Sequence, residues 1–110
     1  MRSGTIFSAQ VATITNVLAN VPVGVMLMQL DNSNNGFVVW AQLFSTNAAS
    51  VTLGTTAPLA SIGIATNSSL VCRFPRDSWY VGGGGFSMAF TRGRAVLTQA
   101  TANATIWIRT

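Results

Sequence analysis

The sequence predicts an all-β chain: a single-domain antiparallel β-sandwich, of jelly-roll or immunoglobulin-like type, with six to eight strands. Three observations carry this. Short apolar runs rich in Val, Ile, Phe and Trp recur at intervals of roughly ten residues. Gly, Pro, Asn and Ser clusters separate them and cannot continue a strand ladder. No segment after the first twenty residues carries the apolar stripe of an amphipathic helix.

Taken in order, residues 1–20 form an N-terminal arm or peripheral strand, and residues 21–110 the sandwich domain. Residues 5–11 read as a first strand. Residues 12–20 read as a second strand or an extended arm; a helix over residues 9–18 is opposed by their Thr and Val content. Ile6 and Phe7 are isolated apolar anchors suited to a neighbour's surface. Residues 23–30 are a strand with two apolar faces, Val23, Val25 and Leu27 on one and Met26, Met28 and Leu30 on the other.

Asn34-Asn35-Gly36 then supplies a hairpin turn signal. The strand at 37–44 repeats the two-sided pattern, with Phe37, Val39, Ala41 and Leu43 opposed to Val38, Trp40, Gln42 and Phe44. An antiparallel sheet in a monomer usually keeps one wet face, so a second subunit is expected to cover one of these. Residues 59–65 and 69–74 are two further strands of a meander, and Phe74-Pro75-Arg76-Asp77-Ser78 is a turn. Gly82 to Gly85 make a loop without the spacing of a phosphate-binding motif. Residues 86–91 alternate, with Phe86, Met88 and Phe90 inward. Residues 95–102 are a short strand or excursion, and residues 105–109 close the chain with Ile106 and Ile108 on one face.

Composition narrows the function. Hydrophobic residues make up 49% of the chain and charged residues 7%, against roughly 25% charged in ordinary soluble domains. So few charges give little protection against association. The net charge of +4 comes from six arginines and two aspartates. The arginines are scattered rather than clustered, and suit interface rims better than nucleic acid. No apolar run reaches the ~20 residues that span a bilayer, and the N-terminus lacks a secretory apolar segment.

Catalysis needs a proton carrier or a nucleophile with a partner. His and Glu are absent, and Asp31, Asp77, Cys72 and Tyr80 form no recognised pair. No metal-ligand spacing exists either, so no enzyme activity, metal or cofactor is expected. The single Cys72 reads as a small buried hydrophobe on the face of Leu70 and Phe74. The sequons at Asn67 and Asn103 read as chance matches in an Asn-, Ser- and Thr-rich chain. Trp79, Tyr80 and Trp107 are expected to be buried in the core or at a subunit contact; if exposed, they would be the stacking residues of a sugar-binding module.

The run Trp40-Ala41-Gln42-Leu43-Phe44, followed by Val51-Thr52-Leu53-Gly54-Thr55-Thr56-Ala57-Pro58, resembles a pattern in small virion proteins of tailed bacteriophages. Phe74-Pro75, the glycine loop and Ile106-Trp107-Ile108 extend the resemblance over residues 37–110. The four glycines and the 95–102 excursion depart from it. The resemblance implies a β-sandwich structural protein, most simply a capsid cement or decoration protein on the capsid surface, made in the host cytoplasm. A tail or head-fibre component contacting the host is the alternative, with the sugar-binding module after it. The expected partners are a phage major capsid protein or another virion protein, and further copies of the chain. A homotrimer is favoured, then a dimer, then assembly only on the lattice. The candidate contact residues are Ile6, Phe7, Met26, Met28, Trp40 and Trp107.

Overall fold

The computed structural model describes residues 4–19, 23–74, 79–81, 85–94 and 98–109, and for residues 4, 5, 18, 19, 23, 79–81 and 109 the backbone alone. The apolar runs become strands β1 (Gly4–Val11), β2 (Thr15–Ala19), β3 (Val23–Asp31), β4 (Val39–Phe44), β5 (Ala60–Ile64), β6 (Ser69–Arg73), β7 (Trp79–Val81), β8 (Gly85–Thr91) and β9 (Ala102–Arg109). A 3-10 turn, Ala48–Ser50, interrupts the long β4–β5 connection. All six strands expected from sequence are present, and the chain is all-β.

The strands form two antiparallel sheets, one in the order β1-β9-β3-β6 and one in the order β2-β8-β4-β5. β7 pairs with the same side of β3 as β6, so the two share one edge of the sheet, β6 ending at Arg73 and β7 beginning at Trp79. Counted so, the pairs are first with last (β1–β9), second with seventh (β2–β8), third with sixth (β3–β6/β7) and fourth with fifth (β4–β5). The chain is thus one long antiparallel ribbon rolled up, with β9 joining β3 and β8 joining β4 where the ribbon folds over. That is the jelly roll, the first of the two expected sandwich types.

The inner faces meet in one core that includes Val11, Val17, Val25, Met28, Leu30, Val39, Ala41, Leu43, Phe86, Met88, Phe90, Ile106 and Ile108. Each large side chain buried there contributes roughly 1.5–3 kcal/mol. Faces read from alternation hold for β4, β8 and β9. They fail for β3. Val25 pairs with Ile108 while Leu27 pairs with Trp107, leaving Met26 as the extra residue of a β-bulge. One inserted residue turns every later side chain over. Val25, Met28 and Leu30 therefore share the core face, and Leu27 moves to the other side.

The Asn34-Asn35-Gly36 turn is also different from expectation. It joins strands of opposite sheets rather than a hairpin, and neither Asn35 nor Gly36 has positive φ. The turn after β5 likewise crosses between sheets, at Asn67 with φ 53°, so β4, β5 and β6 are not a meander. Both crossings are held by Asn32, which is 1% exposed. Its Nδ2 donates to the carbonyls of Phe37 (2.8 Å), Ile64 (3.3 Å) and Ala65 (3.1 Å). Its Oδ1 accepts from Asn35 Nδ2 at 2.6 Å, and the same nitrogen reaches the Thr101 carbonyl just before β9. The Pro75 turn, most of the glycine loop and the start of the 95–102 excursion lie outside the described residues.

Candidate functional site

A sandwich has two outer faces, and in this chain they differ. On the β2-β8-β4-β5 sheet the outward side chains of β4 and β8 are Trp40, Gln42, Phe44, Ser87, Ala89 and Thr91. All but Trp40 are buried, Phe44 at 2% and Gln42 at 5% exposure. What buries them is the chain itself. The β4–β5 connection, residues 45–59, folds back over β8, whose small Ser87 and Ala89 leave room for it. Ser87 Oγ donates to the Thr46 carbonyl (2.7 Å), and Asn16 Oδ1 accepts from the Ala48 amide (2.7 Å). The Leu59 amide closes the loop onto the Leu43 carbonyl at 2.7 Å. No helix and no second subunit is needed to explain the two-sided pattern of residues 37–44.

Between this connection and β4 lies a cleft of about 430 Å³, lined by residues that include Gln42, Phe44, Thr55, Pro58, Thr91 and Arg94. Its central polar group is already used. Gln42 Nε2 donates to Thr91 Oγ1 (3.1 Å) and to the Arg94 carbonyl (3.2 Å), and its Oε1 accepts from Ser61 Oγ. A buried amide with these partners ties β4 to β5, β8 and the segment after β8, and has little left to offer a ligand. The lone glutamine inside an apolar run was the visible signal for this network.

The outer face of the β1-β9-β3-β6 sheet has no such cover among the described residues. Its cross-strand register lays side chains out in rows. Ile6, Trp107, Leu27 and Arg73 form the first row, Ser8, Thr105, Gln29 and Val71 the second, and Gln10, Asn103, Asp31 and Ser69 the third. Ile6 is 60% and Val71 50% exposed, while Trp107 and Leu27 are half-buried. The face is thus apolar along the first row, which ends in the cation Arg73, and polar along the third, where Gln10 and Asn103 lie beside the anion Asp31.

The candidate contact residues now separate. Ile6 and Trp107 are neighbours on this exposed face. Phe7 points the other way, packed against the core. Met28 is fully buried in that core, so it is removed from the contact set by the bulge at Met26. Met26 is half-buried beside the bulge, where its carbonyl accepts from the Phe74 amide at 2.8 Å. Trp40 lies half-buried on the opposite sheet, its ring over Gly63, where an added Cβ would meet it at 3.3 Å.

No reactive constellation is assembled from the remaining candidates that are described. Asp31 lies on the outer face and accepts from the Ser33 amide at 2.9 Å; bonding to Ser33 holds its carboxyl below the ordinary range. Cys72 is half-buried on the inner side of β6, and burial pushes its thiol up, away from the reactive thiolate. Arg92 stacks on the Phe37 ring, 3.5 Å from its centroid. Among the described residues no three His, Cys, Asp or Glu side chains approach as metal ligands would. Asp77 and the side chain of Tyr80 lie outside the described residues. No known protein family, curated protein or solved structure matches this chain.

Proposed function

We propose that this chain is a non-enzymatic structural subunit of a bacteriophage particle, a cement or decoration protein that lies on the capsid surface and fastens capsid subunits together. The observation that carries the reading is the asymmetry of the two outer faces. One is largely covered by residues 45–59 of the chain itself, and the other presents Ile6, Trp107, Leu27 and Val71 on an open sheet. Aromatic and aliphatic side chains on a rigid platform, with Arg73 at the rim, have the composition of a protein-binding patch. The low charge of the chain and its resemblance to small virion proteins point the same way. The partner is the major capsid protein, and self-association adds a second set of contacts.

Co-sedimentation with capsids depleted of their decoration layer tests this. The wild-type chain is expected to bind stoichiometrically, and Trp107→Glu to lose most binding while keeping its circular dichroism spectrum. Wild-type protein that stays in the supernatant would overturn the reading. A second reading, a sugar-binding module, is favoured by one feature: Trp107 stands beside Thr105, Gln29 and Ser8, an aromatic plate next to hydroxyl and amide groups. Glycan-array binding without capsid binding would select it.

A further inference from the structure

A jelly roll opened into two sheets has four edge strands, here β1, β6/β7, β2 and β5. Unpaired edges invite other chains, and proteins blunt them with bulges, proline, charge or short length. Three edges of this molecule are blunted. β2 has five residues and a register shift between Asn16 and Leu18. β5 has five residues, with Gly63 among them. The third edge is shared by two short strands, β6 of five residues ending at Arg73 opposite Leu27 and β7 of three residues starting at Trp79 opposite Val25.

β1 is different. It runs for eight residues, Gly-Thr-Ile-Phe-Ser-Ala-Gln-Val, with no charge and no proline. Its register against β9 is unbroken from Gly4↔Arg109 to Val11↔Ala102. Among the described residues no strand pairs its other side. It also carries Ile6, at 60% the most exposed of the large hydrophobic side chains described.

We propose that two copies of this chain pair through β1, antiparallel about a two-fold axis, joining their β1-β9-β3-β6 sheets into one continuous sheet. This rests on the reading of the chain as an assembling subunit, and names the contact and the partner. A second copy is the occupant because β1 is its own complement. Two-fold pairing sets residues of one face against the same face of the partner strand. The outward set Ile6, Ser8 and Gln10 then meets itself, and no like charges are opposed although each chain carries +4. The inward set Phe7 and Ala9 carries the core seam across the contact. A three-fold ring made by edge pairing would instead need β1 against a different edge, and the other three are blunted.

The test uses the full chain and the double variant Ile6→Lys, Ser8→Lys, both exposed positions outside the core. Sedimentation equilibrium is expected to find a dimer at micromolar concentration for the wild type. The variant should show a dissociation constant raised at least tenfold, with an unchanged circular dichroism spectrum. A wild-type monomer at tens of micromolar, or a dimer or trimer that the two lysines leave intact, would overturn the proposal. If the variant fails to fold, amide exchange of the wild type decides. Protection of the β1 amides that point away from β9 supports pairing if it is lost on dilution; protection of those amides that is independent of concentration, or none, refutes it. Capsid sedimentation of the same wild-type sample separates the two ideas, because a dimer that ignores capsids overturns the virion reading alone.

Discussion

The amide of Asn32 closes one end of the sandwich, since it supplies protons to three backbone carbonyls from two different connections. Asn32→Ala removes this donor from all three, and from the buried Ile64 carbonyl above all, which costs about 1–3 kcal/mol. The urea midpoint should fall with the slope unchanged. Phe90→Ala, at 1% exposure in the core, should cost more, about 3–5 kcal/mol, because it opens a cavity. Two titrating groups bend the pH profile in opposite directions. Asp31 has a lowered value through its bonds to Ser33, so its contribution is present above the ordinary carboxylate range and is lost as pH falls through the lowered value. Cys72 has a raised value through burial, so stability is intact below the ordinary thiol range and is lost as pH rises through the raised value. Urea midpoints measured against pH should lose the acid slope in Asp31→Asn and the alkaline slope in Cys72→Ser.

At the scale of elements, β1 and β2 are edge strands of the two sheets, and each places a valine in the core: Val11 at 0% and Val17 at 8% exposure. A chain lacking residues 1–20 should therefore show no cooperative thermal transition. Retention of a sharp transition would show that these strands are dispensable. Strand existence was legible in the sequence because alternation and β-branched content act locally, as in residues 86–91 and 105–109. Sheet membership was not. The turns after β3 and β5 look like hairpin turns, yet each carries the chain to the other sheet, a choice made by long-range pairing with β8 and β9. The bulge at Met26 was equally hidden, because an inserted residue leaves no mark in a run apolar on both faces. The same ambiguity misled the site: two apolar faces on residues 37–44 read as a subunit contact, while the cover came from residues 45–59, too irregular to announce where they pack. Ile6 and Trp107 were expected as contact residues from sequence; that they are neighbours on one outer face needed the register of β1 on β9.

For the whole molecule, pairing first strand with last makes most contacts distant in sequence. Such topologies fold in milliseconds to seconds rather than microseconds. Stopped-flow refolding monitored by tryptophan fluorescence should give a main phase slower than about 10 ms; a microsecond phase carrying the full amplitude would contradict the topology. A further consequence concerns the order in which the chain is made. β9 lies between β1 and β3 and pairs with both, from Gly4↔Arg109 to Asp31↔Asn103. At about 5–20 residues per second of synthesis, β1 waits ~5–20 s for its only described neighbour to be translated. During that interval one sheet lacks β9, one of its two central strands, and β1 has two open sides instead of one. On a messenger carrying several ribosomes, the β1 segments of adjacent nascent chains are the nearest available partners for each other. A pause placed late in the message would lengthen that exposure, and a chaperone that sequesters the emerging N-terminal strand would shorten it.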